Sequence, residues 1–176
     1  MERKKVAVLV VNPVNGLGLF HYLESFYEHG ISYKTYAVAT SCEVHTNSGV
    51  ALTADDLVCH LKGHADEYDA LVFACGDAIP VFRQHAAEAW NVDMLEVIRE
   101  FAGKGKMMVG HCAAAWLFEI AGVTEGRRLA VHSLAKSAII RGHATDEPVV
   151  VDGNFFTAQT EHTLDGLLPD VLKSLQ

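Results

Sequence analysis

Continuous apolar runs alternate along the chain with segments in which apolar side chains recur every three or four residues. The runs Val6–Val11, Ile31–Ala39 and Ala70–Ala74 predict strands that are buried on both faces, as in a parallel sheet. A further strand is predicted at Lys106–Val109, and the alanine-rich segment Ala113–Ala121 after it favours a helix. This alternation predicts an α/β fold, in which a doubly wound, mostly parallel sheet is sandwiched by helices.

Helical spacing and capping residues predict where the other helices begin and end. The first helix carries an apolar stripe that stops at Gly30, a residue suited to the left-handed position after a helix. Asn91 is expected to cap another helix, and Thr53–Asp56 to open a short one. The last helix covers Leu164–Leu175, with a kink or a new start at Pro169. Shorter strands are predicted at Arg128–Val131, Ala138–Ile140, Val149–Val151 and Asn154–Ala158.

The residues suited to chemistry follow three of the predicted strands. They lie in the segments Asn12–Gly18, Cys75–Ala78 and His111–Ala113. The carboxyl ends of parallel strands share one edge of a sheet, so we expect these segments to converge there.

The segment from Met107 to Leu117 has the pattern of a strand, a tight turn and a helix, with Cys112 at the turn. Nucleophile elbows have this form, with small residues on both sides of the nucleophile. The N-terminus of the following helix would favour a thiolate at Cys112. The alternative is a structural cysteine buried where the strand meets the helix.

The length and the net charge of the chain limit the classes of protein to which it can belong. The 176 residues suit one domain, 1–176, with a sizeable core. A net charge of −8 argues against nucleic acid as a partner. No apolar run is long enough to span a membrane, and Val6–Val11 is too short for a signal peptide. The four cysteines form no Cys-x-x-Cys pair, so we expect thiols in a reducing compartment and a cytoplasmic protein.

An ordered set of short motifs covers nearly the whole chain and resembles the ThiJ/PfpI superfamily, relatives of the class I glutamine amidotransferase domains. The motifs are His29-Gly30-Ile31, Phe73-Ala74-Cys75-Gly76-Asp77, the Cys112 turn, Ala121-Gly122-Val123, Gly126-Arg127-Arg128, Val131-His132-Ser133-Leu134-Ala135-Lys136 and Asp152-Gly153-Asn154-Phe155-Phe156-Thr157-Ala158. The resemblance implies a flavodoxin-like fold, a small-molecule substrate or ligand, and a homodimer or larger homo-oligomer. We expect no cofactor and no metal.

The resemblance also implies roles for individual residues. His132 follows Cys112 by the spacing found in the deglycase branch, which makes it a candidate base or thiolate partner; otherwise it is a satisfied histidine at a strand end. The backbone N–H groups of Gly76 and Ala113 resemble the oxyanion hole of the family. Gly76 could instead be a turn glycine, and Asp77 could orient a substrate or cap the next segment.

The chain departs from the family pattern beside the cysteine. Gly18 stands where relatives carry a glutamate that hydrogen-bonds the cysteine. The protease branch has a histidine directly after the cysteine, whereas here Ala113 follows and His111 precedes, which argues against peptidase activity. Neighbouring residues at a tight turn face different ways, so His111 is not expected to substitute. Glu161 and His162 could replace the missing acid, or could simply lead into the last helix.

Three functions remain open at this point. The first is a cysteine-dependent hydrolase or lyase acting through Cys112 and His132 on a small carbonyl, amide or thioester compound. The second is a redox sensor or chaperone-like dimer that uses Cys112, and the third is a degenerate member that only binds a ligand. His60 and His64 have the spacing of a metal-binding pair on a helix, with Asp56 and Cys59 nearby, but no third ligand is assured.

Overall fold

The computed structural model describes residues 4–176 and contains one large sheet with two small two-stranded sheets. The strands are β1 (Lys5–Val11), β2 (Ser32–Val38), β3 (Glu43–His45), β4 (Ala51–Thr53), β5 (Asp56–Leu57), β6 (Ala70–Ala74), β7 (Met107–His111), β8 (Arg128–Leu129), β9 (His143–Ala144), β10 (Val149–Asp152) and β11 (Phe155–Ala158). The α-helices are α1 (Gly16–Glu28), α2 (Ala78–Gln84), α3 (Ala89–Gly103), α4 (Ala114–Ala121) and α5 (Leu164–Ser174).

The large sheet has the strand order β10-β11-β7-β6-β1-β2-β5. Its pairs are parallel except for β10 with β11, which runs antiparallel at the edge. The central strands β6 and β7 are buried at every position, as their continuous apolar sequences predict. Helix α1 packs against α5, and α3 packs against α4. The predicted α/β fold, with a mostly parallel sheet between helices, is confirmed.

Chain order and register bring the ends of β1, β6 and β7 together. β6 pairs with β1 on one side and with β7 on the other, so these are the three central strands of the sheet.

Gly122 has a φ of 79° and ends α4, as predicted. α5 continues as one helix through Pro169, so it does not restart there.

Three local predictions are wrong. Thr53–Asp56 opens no helix, because Ala51–Thr53 is a strand and residues 58–61 form only a short 3-10 turn. Asn91 does not cap α3, which begins at Ala89; its buried side chain donates to the His85 carbonyl at 2.7 Å. The segment Ala138–Ile140 is not a strand, because Ser133–Ala138 forms a 3-10 helix.

Helix α2 and the β3–β4 hairpin were not predicted, and both lie next to the edge where the candidate segments meet. The hairpin carries Asn47 towards Asp77, at the start of α2. Within residues 4–176, no helix combines the length and the apolar character needed to cross a membrane.

Candidate active site

A cavity of about 300 Å³ lies at the carboxyl ends of the central strands. All three predicted segments reach it, together with residues from the turn after β11. Its walls are Asn15, Asn47, Cys75, Gly76, Asp77, His111, Cys112, His132, Thr160, Glu161 and His162. The parallel topology thus assembles one polar site from segments that are far apart in sequence.

Cys112 occupies the tight turn between β7 and α4. Its φ of 57° lies in the left-handed region, and no other non-glycine residue among 4–176 has a positive φ. Its N–H donates to the Ala158 carbonyl at 3.1 Å, and its carbonyl accepts from the His132 N–H at 3.0 Å. Gly110 is required before the turn, because a Cβ there would lie 2.3 Å from the Ala114 methyl group. The surrounding backbone therefore holds Cys112 in a strained conformation, as at a nucleophile elbow.

A second thiol, that of Cys75, lies beside Cys112. Cys75 is fully buried, and its sulfur accepts from the Ala113 N–H at 3.4 Å. The pKa of Cys112 is lowered, mainly by a hydrogen bond from the Cys75 thiol and to a smaller extent by the Ala113 N–H. Burial and the negative charges of Glu161 and Asp77 act in the opposite direction and raise this pKa. The proximity of Cys112, followed by burial, raises the pKa of Cys75 well above its usual range. The pair therefore favours a thiolate at Cys112 and a thiol at Cys75.

Gly76 and Ala113 were the predicted oxyanion donors. A Cβ on Gly76 would lie 2.1 Å from the Pro13 carbonyl oxygen, so the close passage of the loop after β1 requires glycine there. Gly76 also lines the cavity. The Ala113 N–H points at the Cys75 sulfur, so it must change partner before it can bind an oxyanion.

His132 is at the cavity, where its ring also stabilises the local backbone. Nδ1 accepts from the Leu134 N–H at 3.2 Å and caps the 3-10 helix Ser133–Ala138. The neutral ring therefore carries its proton on Nε2, which makes that nitrogen a donor. This geometry favours a hydrogen-bond donor over the base that the spacing suggests.

His111 fills the space that Gly18 leaves open. A Cβ on Gly18 would lie 2.6 Å from both Cε1 and Nε2 of the ring, so the ring packs directly against Gly18. The Tyr22 hydroxyl lies 3.2 Å from Nδ1, while the buried Nε2 has no hydrogen-bond partner among the residues that the structure describes. Burial lowers the pKa of His111 to about 4, although the nearby Glu161 charge raises it. The ring is therefore neutral at physiological pH.

Glu161 and His162 both reach the cavity. Glu161 is largely buried and accepts from Asn15 Nδ2 at 3.1 Å, while Asn15 Oδ1 caps α1 at the Gly18 N–H. His162 is largely exposed, with Nε2 3.7 Å from the Glu161 carboxylate. The Thr160 hydroxyl accepts from the His162 N–H, and the Thr163 hydroxyl accepts from the Thr160 N–H, so the two side chains cap this turn together. Glu161 is thus held in the cavity wall, and His162 lies at its rim.

Asp77 and the histidine pair of the metal hypothesis have other partners. Asp77 is exposed and accepts from Asn47 at 3.5 Å, but its side chain does not cap α2. His60 contacts Asp56 at 2.6 Å, and His64 contacts Glu67 at 2.6 Å, in two separate 3-10 segments. Among residues 4–176, no group of three or more histidine, cysteine or acidic side chains is placed to hold a metal ion.

Comparison with known proteins identifies the family of this chain. The family model described as the DJ-1/PfpI family matches residues 4–174. The chain belongs to the DJ-1/PfpI family. Protein ppBat from Bacteroides thetaiotaomicron is 60% identical over 173 residues, which cover 98% of this chain and 99% of that protein.

Solved structures of the family have the same fold. A crystal structure named "putative protease I" from Bacteroides thetaiotaomicron has a TM-score of 0.97 at 60% identity, covering 98% of this chain and 99% of its own. DJ-1beta from Drosophila melanogaster has a TM-score of 0.83 at 18% identity, covering 99% of this chain and 91% of its own. The second likeness shows the fold alone.

Proposed function

We propose that this DJ-1/PfpI family member is a cysteine-dependent hydrolase or lyase that acts on a small carbonyl, amide or thioester compound. The observation that carries the proposal is Cys112, held at a strained turn in an open cavity with its thiol pKa lowered. A thiolate in that position can attack an electrophilic carbon.

The neighbouring groups supply the remaining steps. The oxyanion that forms would accept hydrogen bonds from the Gly76 N–H and from His132 Nε2. Glu161 provides an acid/base carboxylate, the group that the resemblance to the family implies at the position of Gly18. Neutral His111 offers a buried ring nitrogen beside it. The side-chain roles of His132, Glu161 and His111 can be removed separately by substitution, because the three residues come from different segments of the chain.

The walls around Cys112 indicate the size and polarity of the substrate. On one side lie Asn15 and Glu161, while an adjoining cavity of about 430 Å³ is lined by apolar side chains that include Trp116 and Leu134. A small compound with a polar reacting end and an apolar remainder suits these two sides. The protease name of the Bacteroides relative suggests peptides, but Ala113 stands where the protease branch carries its histidine, so we favour a small molecule. A homodimer and a cytoplasmic location stay predictions.

The test is the pH dependence of Cys112 alkylation, followed by mass spectrometry in the wild-type protein and in Cys112→Ser and His132→Ala. We expect a midpoint below the usual thiol value of about 8.5, and loss of turnover of activated thioesters in Cys112→Ser. The exposed Cys59 serves as the internal reference thiol. A midpoint at or above that of Cys59, with no turnover, would contradict the proposal and favour a protein that only binds a ligand.

A further inference from the structure

Cys75 is a second thiol at the site that the proposed reaction does not consume. Strands β6 and β7 pair in parallel, with Phe73 opposite Gly110. Continuing that register by two residues brings Cys75 opposite Cys112. Adjacent strands lie about 4.8 Å apart, and disulfides join Cα atoms that are roughly 4.4–6.8 Å apart. The backbone therefore brings the two cysteines within bonding range.

The contacts of the two sulfurs agree with that register. The Cys75 sulfur accepts from the Ala113 N–H, so it lies at the base of α4, one residue from Cys112. Both cysteines line the same cavity, but Cys112 is half-buried and Cys75 is fully buried. A small oxidant entering the cavity therefore meets Cys112 first.

We propose that Cys75 is a resolving thiol, which captures Cys112 as a reversible disulfide after a hydroperoxide has oxidised Cys112 to a sulfenic acid. The inference rests on the thiolate character of Cys112 in the proposed function, but it does not require turnover of any substrate. It makes the cysteine pair a modification site that protects the nucleophile from irreversible oxidation.

The two steps balance with the hydroperoxide as the only oxidant. In the first, the Cys112 thiolate attacks the outer peroxide oxygen, the O–O bond breaks, and water or an alcohol leaves after taking up a proton. In the second, the Cys75 sulfur attacks the Cys112 sulfur, an S–S bond forms, and the S–O bond breaks. The departing hydroxide takes the Cys75 proton and leaves as water. Two electrons pass from the two thiols to the peroxide.

The electrostatics of the pair set the order of these steps. Before oxidation, the Cys112 sulfur is the largest cause of the raised Cys75 pKa, ahead of burial. A sulfenic acid at Cys112 no longer presents a thiolate that accepts a hydrogen bond from the Cys75 thiol, so that cause disappears. Burial then still raises the Cys75 pKa, while the hydrogen bonds from the Ala113 N–H and the backbone at Gly76 still lower it. The Cys75 thiol is therefore easier to deprotonate after Cys112 has been oxidised than before.

The experiment treats wild-type protein, Cys75→Ala, Cys75→Ser and the control Cys59→Ala with hydrogen peroxide, and then maps non-reduced tryptic peptides by mass spectrometry. Cys75 lies in the peptide of residues 63–83, and Cys112 lies in that of residues 107–127. We expect wild type and Cys59→Ala to yield these two peptides joined, with the loss of two hydrogens and full reversal by dithiothreitol. Both Cys75 variants should instead gain two oxygens at Cys112, which dithiothreitol does not remove; Cys75→Ala should gain them more slowly, because it lacks the side-chain donor that lowers the Cys112 pKa.

The inference is overturned if wild-type Cys112 gains two oxygens while Cys75 stays available to alkylation after unfolding. Two Cys75 variants are used because serine keeps the size of the buried side chain and alanine removes its polar atom. If turnover is present under reducing conditions but no joined peptide forms, the inference fails and the proposed function stands. If Cys112 reacts neither with peroxide nor with the alkylating reagent at neutral pH, both fail.

Discussion

His111 and Glu119 are two buried titratable side chains on the elements that flank the Cys112 turn, and their surroundings are opposite. Glu119, on α4, is 4% exposed and accepts from the Thr124 hydroxyl and from the N–H groups of Ile140, Arg141 and Gly142 at 3.2, 2.8 and 3.1 Å. His111, at the end of β7, is 1% exposed, and its Nε2 has no partner in the described part of the chain.

The two groups respond to burial in opposite ways. Burial alone would raise the pKa of Glu119, but the hydrogen bonds from Thr124 and the backbone outweigh it, and its pKa falls. His111 lacks such compensation, so burial keeps it neutral. Buried polar groups in native proteins are ordinarily satisfied, and an unsatisfied one requires an explanation. The contrast indicates that the surroundings of Glu119 compensate for its burial, whereas those of His111 leave one buried ring nitrogen without a partner among the described residues.

Removing the Glu119 carboxylate should have the largest effect on stability. In Glu119→Ala, three buried or half-buried N–H donors and the Thr124 hydroxyl lose their acceptor. We expect the free energy of unfolding, measured by urea denaturation, to fall by about 3–5 kcal/mol. Glu119→Gln retains one carbonyl oxygen and should lose less. The alkylation midpoint of Cys112 should not change while either variant is folded; a fall in stability below about 1 kcal/mol would contradict a structural role for this cluster.

The pH dependence of stability should report His111. Its folded-state pKa, about 4, lies below the ordinary histidine value of 6.5, so the unfolded chain binds a proton that the folded chain does not in that range. The free energy of unfolding should therefore be highest above pH 6.5 and fall by about 3 kcal/mol as the pH is lowered through this range towards 4.

The matched control for this pH dependence is His111→Gln, which keeps a polar side chain that does not titrate. Urea denaturation between pH 7 and pH 4.5 should show a much smaller slope in the variant. An equal slope in both proteins would mean that other groups carry the dependence and that His111 is not held neutral by burial.

The sequence predicts the central strands and the Cys112 turn because full burial leaves an unambiguous pattern. β6 and β7 are continuous apolar runs, and Gly110 and Gly122 mark positions where the backbone admits little else. Patterns of this kind involve only residues that are close together in the sequence, so they can be recognised without knowing the fold. The convergence of the site segments follows in turn from the parallel topology.

Side-chain partners across the sheet could not be predicted in the same way. Nothing near Cys75 in the sequence indicates that it faces Cys112, because the contact depends on the register of β6 with β7. Asn91 has the character of a cap, but tertiary packing buries it inside α3. The sequence of the Cys112 turn does not indicate which residue the His111 ring packs against. Gly18 has no side chain, which we interpret in the sequence as the loss of a glutamate. This missing side chain is the one signal in the sequence that a ring could lie there.

The smallest expected effect comes from Gly18→Ala, which tests whether His111 and Gly18 share one space. The new methyl group would overlap a ring held by Tyr22, at a cost of about 1–3 kcal/mol, partly offset by the better helix propensity of alanine, worth up to about 1 kcal/mol. In His111→Ala the ring is gone, so Gly18→Ala should cost nothing or stabilise. Urea denaturation of both single variants and the double variant gives this coupling as a double-mutant cycle. Gly166→Ala is the control, since its Cβ would make only ordinary contact with Val149 at 3.4 Å; equal effects of Gly18→Ala with and without His111 would show that the ring does not depend on the glycine.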